Sequence, residues 1–139
     1  MASGLTTNDG VSSKPRWAKL GITPDSRIAI IGVTERGFRS EIRAAGGRIV
    51  PGRTGADLSH VIVQADRRPA LHAVRSAARM IAPNGAVWVV TPRGIAAVTE
   101  ADALAAGRSA GLTDVNVIRF SDTHTAHKFV IPRALRKTR

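Results

Sequence analysis

The sequence predicts an α/β fold: a mostly parallel sheet between helical layers, ending in an antiparallel hairpin strand. Three observations carry this. First, residues 60–93, HVIVQADRRPALHAVRSAARMIAPNGAVWVVTPR, read as an α/β crossover unit. They give a buried strand, an acidic residue at its end, an amphipathic helix, a Pro-Asn-Gly turn and a second buried strand. Such units build parallel sheets whose ligands sit beyond the carboxyl ends of the strands. Second, residues 27–33, RIAIIGV, form a continuous apolar run too short for a helix, which fits a strand covered on both faces. Third, strands over 114–120 and 128–131 are joined by SDTHTAH, short enough for an antiparallel hairpin.

Each element follows in order. Residues 1–14, rich in Ser, Thr, Gly and Asn, read as a flexible leader. Residues 15–22 form a short amphipathic turn that docks Trp17, Leu20 and Ile22 on the body, and Thr23-Pro24-Asp25 is turn chemistry before the first strand. Residues 34–45 repeat Phe38, Ile42 and Ala45 at helical spacing, with Thr34 as the candidate N-cap and Gly46-Gly47 as the stop. A short strand at 48–50 is cut off by Pro51-Gly52. The next strand covers 61–65. The helix after it runs from Arg68 or Pro69 to Ile81, with Pro69 suited to a first turn, and precedes a strand over 86–90. A helix over 99–110 has Thr99 as N-cap, Asp102 in the place of a capping-box acid, and Gly111 just past its end. The expected organisation is one domain over residues 15–133 and a basic tail at 134–139.

Composition narrows the function classes. The chain has 139 residues, enough for one core, and 43% are hydrophobic. No apolar run approaches the ~20 residues of a membrane span. The start of the chain lacks the pattern of a secretory signal, so the expected location is cytoplasmic. Cysteine is absent, which excludes disulfides, iron–sulfur ligation and a cysteine nucleophile. Aromatics are 4%, too few for base-stacking platforms. The formal net charge is +11, with over half of the excess in residues 1–19 and from Arg133 onward. Such tails fit either a polyanion or acidic partner or a simple gain in solubility.

The turn APNGAVWVV, with the C-terminal order of helix, strand and hairpin strand, is similar to the fifth-strand region of class I methyltransferase-like domains, which are Rossmann-like. More closely, the chain resembles a bacterial domain-of-unknown-function family with a reduced methyltransferase-like shape. The match rests on KLGI at 19–22, the strand after it, VIVQAD at 61–66, the APNGAVWV turn, GLTDVNV at 111–117 and HKFV at 127–130. The resemblance implies S-adenosylmethionine as a cofactor, and the cofactor motifs depart from the pattern. After the first strand such enzymes carry an acid and alternating glycines. Here IAIIGVTERGF offers only Gly32 and Gly37, which also fails the dinucleotide fingerprint. The second strand ends in Val50-Pro51-Gly52-Arg53 rather than in an acid that binds ribose hydroxyls. The family's third strand has no room in the ten residues before the next strand.

The cofactor candidates are therefore Gly32, Thr34, Gly37, Asp66 and Arg93. Asp66 ends its strand either as a cleft carboxylate or as the N-cap of the following helix, and Thr34 has the same double reading. Arg93, at the end of the strand before Gly94, belongs near the ligand crevice of a parallel sheet. A basic stripe of Arg68, His72, Arg75 and Arg79 lies within about 60° on one helix face, opposite Leu71, Val74, Ala78 and Ile81. It is a candidate anion- or partner-binding surface or a solvated face. His124 and His127 lack an adjacent third ligand, so no metal site is expected. There is no G-x-S-x-G elbow, and Ser59 beside His60 cannot form a triad by adjacency. No catalytic residue is assigned and no cofactor is expected, S-adenosylmethionine entering only under the methyltransferase alternative. The leading expectation is a methyltransferase-like binding or interaction module without methyl transfer. The alternatives are a divergent S-adenosylmethionine-dependent methyltransferase and a basic nucleic-acid-associated protein.

Overall fold

The computed structural model describes residues 14–51, 56–94 and 97–138. The expected leader lies almost wholly outside the described residues. Six strands form one sheet: β1 (Arg27–Ile31), β2 (Arg48–Val50), β3 (Leu58–Gln64), β4 (Ile81–Pro92), β5 (Thr113–Arg119) and β6 (His124–Val130). Their order across the sheet is β2-β1-β3-β4-β6-β5. The first four are parallel, with Ile28 opposite Ile49, Ile30 opposite Ile62 and Ile62 opposite Trp88. β6 runs antiparallel to both β4 and β5, pairing Trp88 with Lys128 and Val117 with His127. Among the described residues no strand lies beyond β2, where the resemblance places a third one.

Helices cover both faces. On one face, α1 (Arg16–Lys19) and α2 (Phe38–Ala44) pack through Leu20, Ile22, Phe38 and Ile42 onto Ile28, Ile62 and Trp88. The Trp88 indole N–H donates to the Leu20 carbonyl at 3.1 Å, so the buried ring holds the α1 segment by burial and by one hydrogen bond. On the other face, α3 (Ala73–Met80) and α4 (Glu100–Ser109) pack through Val74, Ala77 and Ala103 onto Val61, Val87 and Phe129. Gly107 lets α4 approach the sheet closely: a Cβ there would run into the Phe129 ring. β1, β3 and β4, buried on both faces, are the apolar runs visible in the sequence. No described helix is long and apolar enough to cross a membrane.

The structure corrects four local expectations. The helix expected at Thr34 begins at Phe38, behind Gly37 in the left-handed region at φ +89°. Thr34 does not cap it, because both its amide and its hydroxyl are engaged by Gln64. Asp66 does not cap the next helix either: the N-cap is Arg67, with no side-chain cap. That helix is not continuous, since Arg68–His72 is 3-10 and the α-helix starts at Ala73. The expected turn before β4 is an excursion inside the strand. Leu58 pairs with Ile81 and His60 with Ala86, so residues 82–85 loop out of register, and a Cβ at Gly85 would sit 2.6 Å from the Leu58 carbonyl. The expected helix over 99–110 is borne out: Thr99 and Asp102 form a reciprocal capping box. Residues 133–138 make a short 3-10 helix, in which Arg136 donates to the Ile131 carbonyl.

Candidate functional site

The carboxyl ends of β1 and β3 meet at Gly32, whose φ of +76° turns the chain out of the sheet. A Cβ there would lie 3.1 Å from the Gln64 carbonyl, so the two strand ends are in close contact. Gln64, one of the few polar residues in the core, organises the site. Its Nε2 donates to Thr34 Oγ1 at 3.2 Å and faces both Asp66 carboxylate oxygens at 3.1 Å. Asp66 also lies 2.8 Å from His124 Nε2, at the start of β6. An ionised carboxylate only accepts, so Nε2 carries the ring proton. In the neutral ring His124 Nδ1 then accepts from the Thr123 hydroxyl, 2.8 Å away. Ser121 Oγ accepts the Thr123 and His124 amides and so fixes the turn that presents the imidazole.

A second set of charges closes the side of the site. Arg16 Nη2 lies 2.6 Å from both Glu35 and Glu41, and its Nη1 donates to the Phe120 carbonyl at 2.9 Å. The guanidinium sits over the Phe38 and Phe120 rings, 4.9 and 4.6 Å from their centroids. Burial alone would lower the Arg16 pKa, but the bonds to Glu35 and Glu41 outweigh it and hold the group above its ordinary value. Arg16 in turn holds the Glu35 carboxyl below its usual range, against the opposing effect of burial.

The structure thus brings Gly32, Thr34 and Asp66 together. Gly37 stands at the far end of the same loop, with no atom within 4 Å of where a Cβ would be. Arg93 is elsewhere. It lines a cavity of about 610 Å³ with Thr91, Val98, Thr99, Glu100 and His127, and none of the residues of the strand-end network lines that cavity. The basic stripe is exposed, and Arg68, His72 and Arg75 line a cleft of about 330 Å³ between α3 and α4. Arg68 is shared there with Asp102 at 3.4 Å, and Arg79 does not line the cleft. Among the described residues no three His, Asp or Glu side chains converge as a metal site needs. Sequence reading missed Gln64, His124, Arg16 and Glu35 as site residues. One signal was present for Gln64: it is the polar residue that ends the apolar run VIV.

No family model and no curated protein matches the sequence. The similarity is to solved structures. An O-methyltransferase from neocarzinostatin biosynthesis, solved with S-adenosyl-L-homocysteine and 1,4-dihydroxy-2-naphthoic acid, superposes with a TM-score of 0.61 at 16% identity. That match covers 88% of this chain and 52% of the enzyme, so the chain spans about half its length. An S-adenosylmethionine-dependent methyltransferase from Aquifex aeolicus gives 0.61 at 9% identity, covering 81% of this chain and 85% of that one. A TehB-like methyltransferase from Corynebacterium glutamicum gives 0.57 at 12%, covering 84% and 85%. The sheet order, the antiparallel hairpin and these superpositions together show that the chain has the Rossmann-like fold of class I methyltransferases.

Proposed function

We propose that the chain is a divergent S-adenosylmethionine-dependent methyltransferase whose site lies at the carboxyl ends of β1 and β3. The observation that carries this reading is the Asp66–His124 pair, an acid–base couple standing on a methyltransferase fold at the ligand end of the sheet. The residues present offer an adenosyl ligand a half-exposed carboxylate, Asp66, and an open loop at Gly37, where no side chain fills the space. They do not offer the acid after β2 that usually takes the ribose, because Val50 is followed by Pro51-Gly52-Arg53. Binding is therefore expected to be weak. When bound, the cofactor supplies an electrophilic methyl group. The chain's own residues handle the proton. Asp66 fixes the His124 ring, and Nδ1, which now holds the Thr123 hydroxyl, is the lone pair an acceptor hydroxyl or amine would engage in its place.

The missing ribose acid, and the commitment of Glu35 to Arg16, favour a second reading: a binding module without methyl transfer. Calorimetric titration with S-adenosyl-L-homocysteine separates the two. The first reading expects saturable binding, weakened about tenfold in Asp66→Asn. No binding leaves the second.

A further inference from the structure

On the sheet face opposite the Asp66–His124 pair, the end of β4 and the start of α4 flank the open cavity of about 610 Å³. Its size is that of a small-molecule site, typically about 300–1,000 Å³. Two opposite charges line it, Arg93 and Glu100, and among the described residues neither takes part in an ion pair. Apart from His127, the rest of the lining is small and polar or aliphatic. Thr91 and Thr125 supply hydroxyls, and Val98 and Val117 supply an apolar wall. Val117 is 51% exposed, an aliphatic side chain left uncovered beside the cavity. The rim at Gly94 is bare backbone, with no described atom beyond its chain neighbours within 4 Å of a would-be Cβ.

The floor of the cavity holds an independent sign. His127 is 3% exposed and its Nδ1 has no hydrogen-bond partner among the described residues, while Nε2 reaches Thr91 Oγ1 at 3.4 Å. Buried polar atoms are nearly always satisfied, so an unpaired one beneath a polar cavity marks a place organised for something more than packing. The ligand has to answer both charges at once. A simple carboxylate would meet Arg93 and be repelled by Glu100, and a simple amine the reverse.

We propose that this cavity binds a small aliphatic α-amino acid. Its carboxylate pairs with Arg93, its ammonium with Glu100, and its side chain lies on the exposed Val117. The site is separate from the strand-end network, since the two share no residue.

The test is calorimetric titration of the full chain with L-leucine, L-leucinamide and isocaproate. Leucine is expected to bind saturably and both single-charge analogues to bind at least about tenfold more weakly. Arg93→Gln and Glu100→Gln should each cost about tenfold, and Asp66→Asn should leave leucine binding unchanged. The proposal is overturned by no saturable binding up to about 10 mM leucine, or by an analogue that binds as tightly as leucine. The analogue series uses the unaltered protein, so it decides the matter whether or not the variants fold.

Discussion

Both regions at the carboxyl end of this sheet use a histidine, an arginine, a carboxylate and threonines, but they use them differently. In the strand-end network, ions and polar groups meet within the chain: Arg16 with Glu35 and Glu41, Asp66 with Gln64 and His124. In the cavity beyond β4, Arg93 and Glu100 form no ion pair among the described residues. Matched groups hold a shape, because each is desolvated only where another replaces the lost water. Unmatched groups at a surface hold nothing and remain available to a ligand. The two regions should therefore respond to substitution in different ways, and four measurements would break or sharpen that contrast.

The largest effect belongs to the face beneath the network. Trp88→Ala empties a fully buried site and releases the Leu20 carbonyl, for an expected loss of about 3–5 kcal/mol in denaturant unfolding. Arg16→Ala is expected to cost about 1–3 kcal/mol, because Glu35 and Glu41 are left facing each other. It should also change the pH profile. Glu35 titrates below its ordinary value of 4.5 in the folded chain, so its stabilisation is present above that value. It is lost as pH falls through the depressed one. Without Arg16 this acid limb should flatten.

The third effect is a slope. Burial, aided by Lys128 and opposed by a bond to Leu20, lowers the His60 pKa from 6.5 to about 4. Between those values the unfolded chain binds a proton that the folded chain refuses, so stability falls as pH drops from 6.5 toward 4. His60→Gln should remove most of that slope. Burial also lowers the His127 pKa and adds to the slope in the same direction. The smallest effect is expected at the cavity: Arg93→Gln should change stability by no more than about 0.5 kcal/mol, since Arg93 is exposed and forms no ion pair among the described residues. A loss like that of Arg16→Ala would erase the contrast between the two regions.

Much of the frame was legible. The apolar runs at 27–31 and 86–90 specify strands buried on both faces, and Thr99, Asp102 and Gly111 bracket α4 by short-range chemistry alone. The site was half legible. Asp66 and Thr34 stand out in the sequence, but their roles do not, since each is decided by a distant partner. Asp66 is drawn from capping by His124, 58 residues away, and Thr34 by Gln64, 30 residues away. No periodicity encodes such pairings. The Ala82–Gly85 excursion is hidden for a similar reason, because its turn residues read as the end of a helix and only the pairing with β3 places them inside a strand.

The outer strand β5 shows a different consequence of irregular pairing. Its seven residues are almost wholly exposed, and its free side offers backbone donors and acceptors to any passing chain. The register slips between Asp114 and Asn116, where Val115 stands as an extra residue opposite β6. That slip bends the border of the sheet and interrupts the flat template on which fibrils grow. An irregularity of this kind makes a rim a poorer template for self-association.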